Sequence, residues 1–126
     1  MREIVLDTET TGLSFKGGDR IIEVGCVELI NHVPTGKNLQ FYCSTNKKVG
    51  EDATKIHGLT NEFLNKYPTF KEHSKKFLSF IKDNTLIIHN AEFDTGFINN
   101  ELKPVSYTHL RAHETEADLV CRLLLE

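Results

Sequence analysis

Three short apolar runs, separated by turn-forming residues, fill the first 43 positions and constrain the fold more than any other feature. The runs lie at 2–8, 21–30 and 39–43. A glycine-rich loop over 10–20 joins the first two, and the Pro-Thr-Gly segment 34–36 marks a turn before the third. Three early strands joined by short connections predict an antiparallel meander.

Beyond residue 50 the apolar pattern changes to a helical period. The predicted elements are a helical turn over 52–58 ended by Gly58, a short helix capped by Thr60, a helix from Phe70 to Ile81, a strand over 85–88, and a helix from Asn90 to about Leu102. Strands first and a helix–strand–helix unit later predict an α/β fold with a mixed sheet, in which strands 1–3 are antiparallel and one further strand is parallel.

Composition narrows the functional class. The 126 residues suit one small domain, and 15 basic against 18 acidic residues give a net charge of −3. This charge balance argues against a broad, positively charged surface for binding nucleic acid. It is compatible with an enzyme that binds its substrate locally through metal ions. No apolar run approaches the ~18 residues of a membrane span, and Glu3 and Asp7 interrupt any signal peptide, so we expect a cytoplasmic protein without membrane contact.

The first strand carries two carboxylates, Asp7 and Glu9, at positions i and i+2. Such residues project from the same face of a strand, where their charges repel each other. A divalent cation between them would remove that cost, and oxygen-only ligands favour Mg²⁺ or Mn²⁺. The alternative is a strand that simply ends at solvent with two acidic residues.

A third carboxylate, Asp94, follows the predicted strand 85–88 and falls in the first turn or so of the next helix. A helix macrodipole favours an acid there, so ordinary N-terminal capping is the alternative to a functional role. The cysteines Cys26, Cys43 and Cys121 are odd in number and unclustered, which indicates neither a disulfide framework nor a zinc site.

Together, DTETTGL at residues 7–13 and HNAEFDTGFIN at 89–99 resemble the first and second motifs of the DnaQ-like, DEDDh family of 3′–5′ exonucleases. The likeness extends to RIIEVGCVEL, NHVPTG, ATKIHGLTNEFL and YPTF, and is greatest to the epsilon proofreading subunits of bacterial DNA polymerase III. It implies a ribonuclease H-like fold and two Mg²⁺ or Mn²⁺ ions that assist removal of 3′-terminal nucleotides as 5′-monophosphates. An RNA-trimming exonuclease and a non-catalytic nucleic-acid-binding module are the alternatives.

The resemblance also assigns roles and partners. It implies a single-stranded DNA 3′ end as substrate and, in a full-length parent, the polymerase III catalytic subunit as partner. The matching catalytic and metal-binding residues are Asp7, Glu9 and Asp94. The residues matching substrate contacts are Thr10, Gly12, Asp52 and His57, with Thr8 and Thr11 at the same strand exit. His57 is alternatively a helix-end histidine, and Asn90 of the matching His89-Asn90 pair is interpreted as a helix N-cap.

At the family's third motif, H-x4-D, the sequence departs from the family pattern. His113 and Asp118 have this spacing, yet only 32 residues follow Asp94, too few for the family's intervening strand and helix. Residues 105–126 resemble no part of the family and look like a translated sequencing adapter. We therefore expect residues 1–104 to be the N-terminal part of an exonuclease domain, C-terminally truncated and weakly active or inactive. Residues 105–126 would be a non-native tail with a helix from Glu114, and His113 and Asp118 a coincidental match.

Overall fold

A five-stranded mixed sheet organises the protein, as seen in a computed structural model that describes residues 2–82 and 84–103, and the backbone of 113–114. The strands are β1 (Arg2–Thr10), β2 (Ile21–Ile30), β3 (Val33–Tyr42), β4 (Thr85–Ile88) and β5 (His113–Glu114). The helices are α1 (Glu51–His57), α2 (Asn61–Leu64), α3 (Phe70–Ile81) and α4 (Ala91–Leu102). The predicted α/β class and element order are confirmed for all elements up to residue 102.

The sheet has the strand order β3-β2-β1-β4-β5. Strands β1, β2 and β3 pair antiparallel, whereas β4 lies parallel to β1. The parallel pairing needs a long crossover, and α1, α2 and α3 supply it. Because β4 lies next to β1 and parallel to it, the carboxyl end of β1 lies on the same side of the sheet as the start of α4, which follows β4.

The turn between β2 and β3 was predicted in the wrong place. Asn31 and His32 form it, with φ angles of 49° and 67°, and residues 34–36 lie inside β3. Positive φ at both central residues gives a hairpin turn whose twist matches that of the strands, and asparagine tolerates this conformation better than most residues. Pro34 is compatible with β3 because only β2 is its neighbour in the described sheet.

Local capping explains where the helices begin. Thr60 accepts a hydrogen bond from the Phe63 backbone N–H at 3.2 Å, as the predicted N-cap should. Thr69 and Glu72 form a capping box in front of α3, which runs from Phe70 to Ile81 as predicted. Asn90 stands at the N-cap position of α4, but its side chain makes no capping hydrogen bond, so only its position agrees with the interpretation.

The main core lies between one face of the sheet and helices α3 and α4. Ile4 and Leu6 of β1 pack there with Phe70, Phe77 and Phe97. A smaller apolar cluster occupies the opposite face of the sheet and consists of Val5, Val27, Leu29 and Ile87. β1 is therefore buried on both faces until Leu6, which fixes the position of the polar residues that follow it.

Strand β5 contradicts the prediction that a helix begins at Glu114. His113 and Glu114 pair in parallel with Ile87 and Ile88, so Glu114 lies in a strand and does not begin a helix. Without β5 the outer edge of β4 would present unpaired backbone groups, and such an edge favours the addition of a strand whatever its side chains are. The remainder of the predicted helix lies outside the described residues. Within the described part of the chain, no helix has the length and apolar character to cross a membrane.

Candidate active site

Asp7 and Glu9 lie on one face of β1, as their spacing predicted, because the strand continues to Thr10. Asp7 pairs with Gly25 of β2, and Glu9 pairs with Glu23. Although the Asp7 residue is exposed, desolvation of its carboxylate raises its pKa, while a backbone hydrogen bond from Thr8 and the nearby His89 lower that pKa. Burial, together with the charges of Asp7 and Glu23, raises the pKa of Glu9 to about 7.

Asp94 lies in the first turn of α4 and is only 5% exposed. The Thr8 hydroxyl donates a hydrogen bond of 2.8 Å to its Oδ1 atom. Burial is the main cause that raises the pKa of Asp94 to about 7; the Thr8 hydrogen bond lowers this pKa, and the charges of Asp7 and Glu9 raise it. The three predicted metal acids therefore sense one another's charge across the junction of β1 and α4.

The carboxylates of Asp7, Glu9 and Asp94 supply oxygen donors, and their like charges repel one another, while Thr8 anchors Asp94. These features suit a divalent cation. Even so, no three His, Cys, Asp or Glu side chains within residues 2–82 and 84–103 are close enough to count as a formed metal-binding group. The chain thus brings Asp7, Glu9 and Asp94 into electrostatic contact without closing them into one ligand shell. The chemistry of the donors fits the predicted metal, and a bound cation would offset the burial that raises the pKa values of all three acids and the repulsion that adds to it at Glu9 and Asp94.

A cavity of about 760 Å³ opens beside Glu9. All four predicted substrate-binding residues line it, namely Thr10, Gly12, Asp52 and His57. Sequence reasoning missed its apolar lining, which includes Leu13, Ile56 and Phe93. Leu13 and Ile56 are 87% and 83% exposed, so the cavity has two large aliphatic side chains at its open rim.

Both ring nitrogens of His57 are engaged. Its Nδ1 accepts a hydrogen bond of 3.0 Å from the Leu59 N–H, so the ring proton belongs on Nε2, which lies 3.3 Å from the Thr10 carbonyl oxygen. The imidazole therefore joins the end of α1 to the exit of β1. This geometry makes His57 a residue that shapes the cavity and disfavours it as a free proton acceptor.

The model of the exonuclease family RNase T matches residues 4–124. The chain belongs to this exonuclease family. Among curated relatives, the DNA polymerase III subunit epsilon of Rickettsia prowazekii (strain Madrid E) is 49% identical over 111 residues, covering 88% of this chain and 48% of the relative. The subunit of the same name from Buchnera aphidicola subsp. Schizaphis graminum (strain Sg) is 51% identical over 104 residues, covering 79% and 45%. The chain spans about half the length of the curated relatives it matches.

Solved structures show the same exonuclease fold. The metal-free E. coli ExoI–ssDNA complex superposes with a TM-score of 0.76 at 17% identity, covering 98% of this chain and 30% of that one. The nuclease domain of 3′hExo, a DEDDh family member bound to rAMP, gives a TM-score of 0.70 at 19% identity, covering 85% and 60%. These matches confirm the predicted ribonuclease H-like architecture, and membership of the exonuclease family implies dependence on divalent metal ions in general.

The loop that follows β1 in the exonuclease domain is fixed by side chains that sequence reasoning did not single out. The Thr11 hydroxyl donates to Asp19 Oδ1 at 2.8 Å, and the Ser14 N–H donates to Asp19 Oδ2 at 3.1 Å. A Cβ atom on Gly12 would lie 2.5 Å from Asp19 Oδ2, so the loop needs glycine there. Side-chain hydrogen bonds thus fix the shape of the loop that forms one wall of the cavity. No periodic pattern in the sequence predicts the pairing of Thr11 with Asp19.

Glu23 is a further acid near the site that the motifs did not reveal. Its charge raises the pKa of Glu9, and it accepts a hydrogen bond of 2.9 Å from Gln40. Together with Asp7 and Gly25 it lines a second, smaller cavity of about 390 Å³ over β1, β2 and β3. The register of β1 against β2 brings Glu23 to Glu9, so only the strand pairing could have identified it.

The structure describes only part of the H-x4-D match formed by His113 and Asp118. The backbone of His113 lies beside Ile87 in β5, on the far side of β4 from β1. Its side chain and Asp118 lie outside the described residues. The interpretation of His113 and Asp118 as a coincidental H-x4-D match stays a prediction.

Proposed function

We propose that the chain is the N-terminal part of a metal-dependent 3′–5′ DNA exonuclease that proofreads for the replicative DNA polymerase III. It would release 3′-terminal nucleotides as 5′-monophosphates. The observation that carries the proposal is the hydrogen bond from Thr8 to Asp94, which brings Asp94 to the strand segment that carries Asp7 and Glu9, with Glu9 lining the 760 Å³ cavity. The similarity to curated epsilon subunits supports the choice of substrate and pathway.

The proposed metal site uses Asp7, Glu9 and Asp94 and takes two Mg²⁺ or Mn²⁺ ions. Bound ions would supply Lewis-acid stabilisation of the charge that develops on the scissile phosphate. The protein's own contribution is the placement of three carboxylates. Thr8 holds Asp94 with a buried hydrogen bond, and β1 fixes the direction of Asp7 and Glu9.

The cavity is proposed to bind the 3′-terminal nucleotide. Leu13, Ile56 and Phe93 offer an apolar surface on which a base can pack, while Thr10 and Gly12 lie at the exit of β1 next to Glu9. Base packing on such side chains is tolerant of sequence, as an exonuclease requires. The ring of His57 ties α1 to β1 and so fixes the width of the cavity.

We also propose that the exonuclease sequence proper is residues 1–104, with 105–126 a non-native tail. The likeness of 105–126 to a translated sequencing adapter supports this boundary, whereas the match to the exonuclease family model extends to residue 124. On this proposal His113 is not the general base, the chain has weak activity, and His113→Ala leaves that activity unchanged. A marked loss of activity in His113→Ala would contradict the boundary without touching the roles of Asp7, Glu9 and Asp94.

The partners proposed are the 3′ end of single-stranded DNA and the catalytic subunit of the polymerase, in the cytoplasm. The support is the similarity to proteins named DNA polymerase III subunit epsilon. A local cavity whose lining includes Glu9 fits a substrate that enters end-first. The small negative net charge also favours local recognition over a broad basic surface.

A nuclease assay tests the proposal. The full chain at high concentration is incubated with Mg²⁺ or Mn²⁺ and a 5′-labelled single-stranded DNA, and the products are separated by size. We expect a ladder that shortens from the 3′ end, absent in Asp7→Ala and retained in Glu62→Ala, whose side chain is exposed on α2. A matched RNA oligonucleotide degraded faster than the DNA would favour the RNA-trimming alternative. Degradation that Asp7→Ala leaves intact would overturn the proposed site.

A further inference from the structure

Helix α4 is attached to the rest of the domain at two polar points on one of its faces. Asp94 near its start receives the Thr8 hydroxyl at 2.8 Å, and Glu101 near its end binds Arg20. Seven residues correspond to about two helical turns, so the two carboxylates project in nearly the same direction. Two attachments at separate heights fix both the position and the tilt of a helix, whereas one fixes only its position.

The attachment at Glu101 is a fully partnered buried carboxylate. Arg20 Nε donates to Oε2 at 2.7 Å and Arg20 Nη2 donates to Oε1 at 2.6 Å, which is a two-bond, planar contact. The Ile21 N–H adds a third hydrogen bond to Oε2 at 3.1 Å. Glu101 is 5% exposed, so water cannot replace these partners, and the hydrogen bond to Glu101 raises the pKa of the Arg20 guanidinium.

Arg20 is also joined to the loop that forms the cavity wall. Its backbone N–H donates to the Thr11 hydroxyl at 3.0 Å, and its carbonyl accepts from the Thr11 N–H at 2.9 Å. The same Thr11 hydroxyl donates to Asp19 in that loop. Phe15 of the loop packs on α4 as well, at 5.6 Å between its ring centroid and that of Phe97. Arg20 thus connects the start of β2, the cavity loop and the end of α4.

We propose that Arg20 and Glu101 are positioning residues for the metal site. Their contact sets the tilt of α4 and thereby the distance from Asp94 to Asp7 and Glu9, an inference that rests on the proposed function of those acids. Neither residue lines the cavity beside Glu9. Partners that orient a metal ligand without touching the metal typically alter affinity by about 10–100-fold.

The chain contains a matched pair that separates positioning from general stability. Arg2 and Glu28 form another arginine–glutamate ion pair, between β1 and β2, through one hydrogen bond; Thr35 also donates to Glu28, and Arg2 also donates to the Phe80 carbonyl. Glu28 is buried like Glu101, yet its hydrogen-bond partners are Arg2 on β1 and Thr35 on β3, and neither lies on α4 or the cavity loop. Arg2 stands five residues before Asp7, about 17 Å away along the strand.

The test is a calorimetric titration of Mn²⁺ into the full chain, with thermal unfolding measured on each variant. In Arg20→Lys and Glu101→Gln we expect Mn²⁺ affinity to fall about tenfold at a temperature well below Tm. In Glu28→Gln we expect Tm to fall while the Mn²⁺ affinity stays within about twofold of wild type. A residue that orients a metal ligand would lower the affinity by more than that. Arg20→Lys is decisive because lysine keeps the charge but cannot make the two-bond contact.

Wild-type affinity in Arg20→Lys would overturn the inference, since charge alone would then account for any effect of Glu101→Gln. An equal loss of affinity in Glu28→Gln would also overturn it, because general destabilisation would explain the result. Failure of the proposed function has a different signature. In that case the wild-type chain itself binds no Mn²⁺, and the inference fails with it.

Discussion

The hydroxyl of Thr8 donates a hydrogen bond to Asp94 across the junction of β1 and α4, and both residues are buried. Thr8 stands between Asp7 and Glu9, the proposed metal acids of β1, but projects to the opposite face, toward the helices. The D-x-E spacing therefore serves two purposes. Its outer residues supply carboxylates, and its middle residue orients the third carboxylate.

Replacing Thr8 by valine should raise the pKa of Asp94 above its wild-type value of about 7, because the hydroxyl hydrogen bond lowers that pKa. Valine has nearly the same shape, so the change isolates the hydrogen bond. The loss of one buried hydrogen bond should also cost about 1 kcal/mol of stability. Carboxyl ¹³C NMR titration measures the pKa, and Thr8→Ser, which keeps the hydroxyl, serves as the control. An unchanged or lower pKa in Thr8→Val would show that the bond does not act on Asp94.

The pH dependence of stability should carry the opposite sign from that of an ordinary salt-bridged acid. The folded pKa of Asp94, about 7, lies above its usual value of 3.8, so the folded state binds the extra proton between these values. In the absence of metal, its contribution therefore becomes more unfavourable as pH rises from about 4 through 7. Glu9 has the same sign, since its pKa is raised from 4.5 to about 7.

Asp94→Asn removes this penalty and isolates it from other titrating groups. In EDTA at pH 8 the variant should be more stable than wild type by about 1 kcal/mol or more, which raises Tm by roughly 4–8 °C for a domain of this size. The advantage should shrink as pH falls toward 5. Scanning calorimetry from pH 5 to 8 checks both statements, and a lower Tm of Asp94→Asn at pH 8 would refute them.

Gly12→Ala should destabilise the protein by about 1–3 kcal/mol through overpacking. The new Cβ would lie 2.5 Å from Asp19 Oδ2, and Asp19 has little freedom to move because Thr11 and Ser14 both donate to it. Gly25→Ala is the matched control, since a Cβ at Gly25 meets no heavy atom within 4 Å. Denaturant unfolding compares the two variants. Equal midpoints would mean that the loop adapts and that Gly12 is not required for its shape.

Truncation of the exposed aliphatic rim should weaken nucleic-acid binding without affecting the fold. For Leu13→Ala and Ile56→Ala we expect the affinity for a short single-stranded oligonucleotide to fall about three- to tenfold, or roughly 1 kcal/mol, from lost apolar contact. Tm should change little, because both side chains are largely exposed. Val33→Ala, 63% exposed at the far hairpin, is the control for fluorescence anisotropy. A comparable loss in Val33→Ala would argue against the cavity as the binding site.

Much of the fold was predictable because its signals are local. The apolar runs of β1 and β2 and the capping box of α3 act within a few residues, and the structure has these elements where they were predicted. The β2–β3 turn was misplaced because Pro34 and Gly36 are stronger turn formers than Asn31 and His32, while the strand pairing decided the outcome. Local propensity yields to tertiary pairing in such cases.

The candidate site was predictable only in part. The carboxylates stood out by spacing and by resemblance, but the contacts that hold them join residues far apart in the chain. Thr8 and Asp94 are separated by 86 positions, and Arg20 and Glu101 by 81. No pattern within a window of residues reveals such pairs, because helix packing and strand register determine them.

The most direct measurement of the central claim is the number and affinity of Mn²⁺ ions bound by the chain, determined by electron paramagnetic resonance at neutral pH. We predict two bound ions in the wild type, a strong loss in Asp94→Asn, and wild-type binding in Glu92→Gln, an exposed acid in the same first turn of α4. Mn²⁺ binding that Asp94→Asn leaves unchanged would contradict the assignment of Asp7, Glu9 and Asp94 as one metal site.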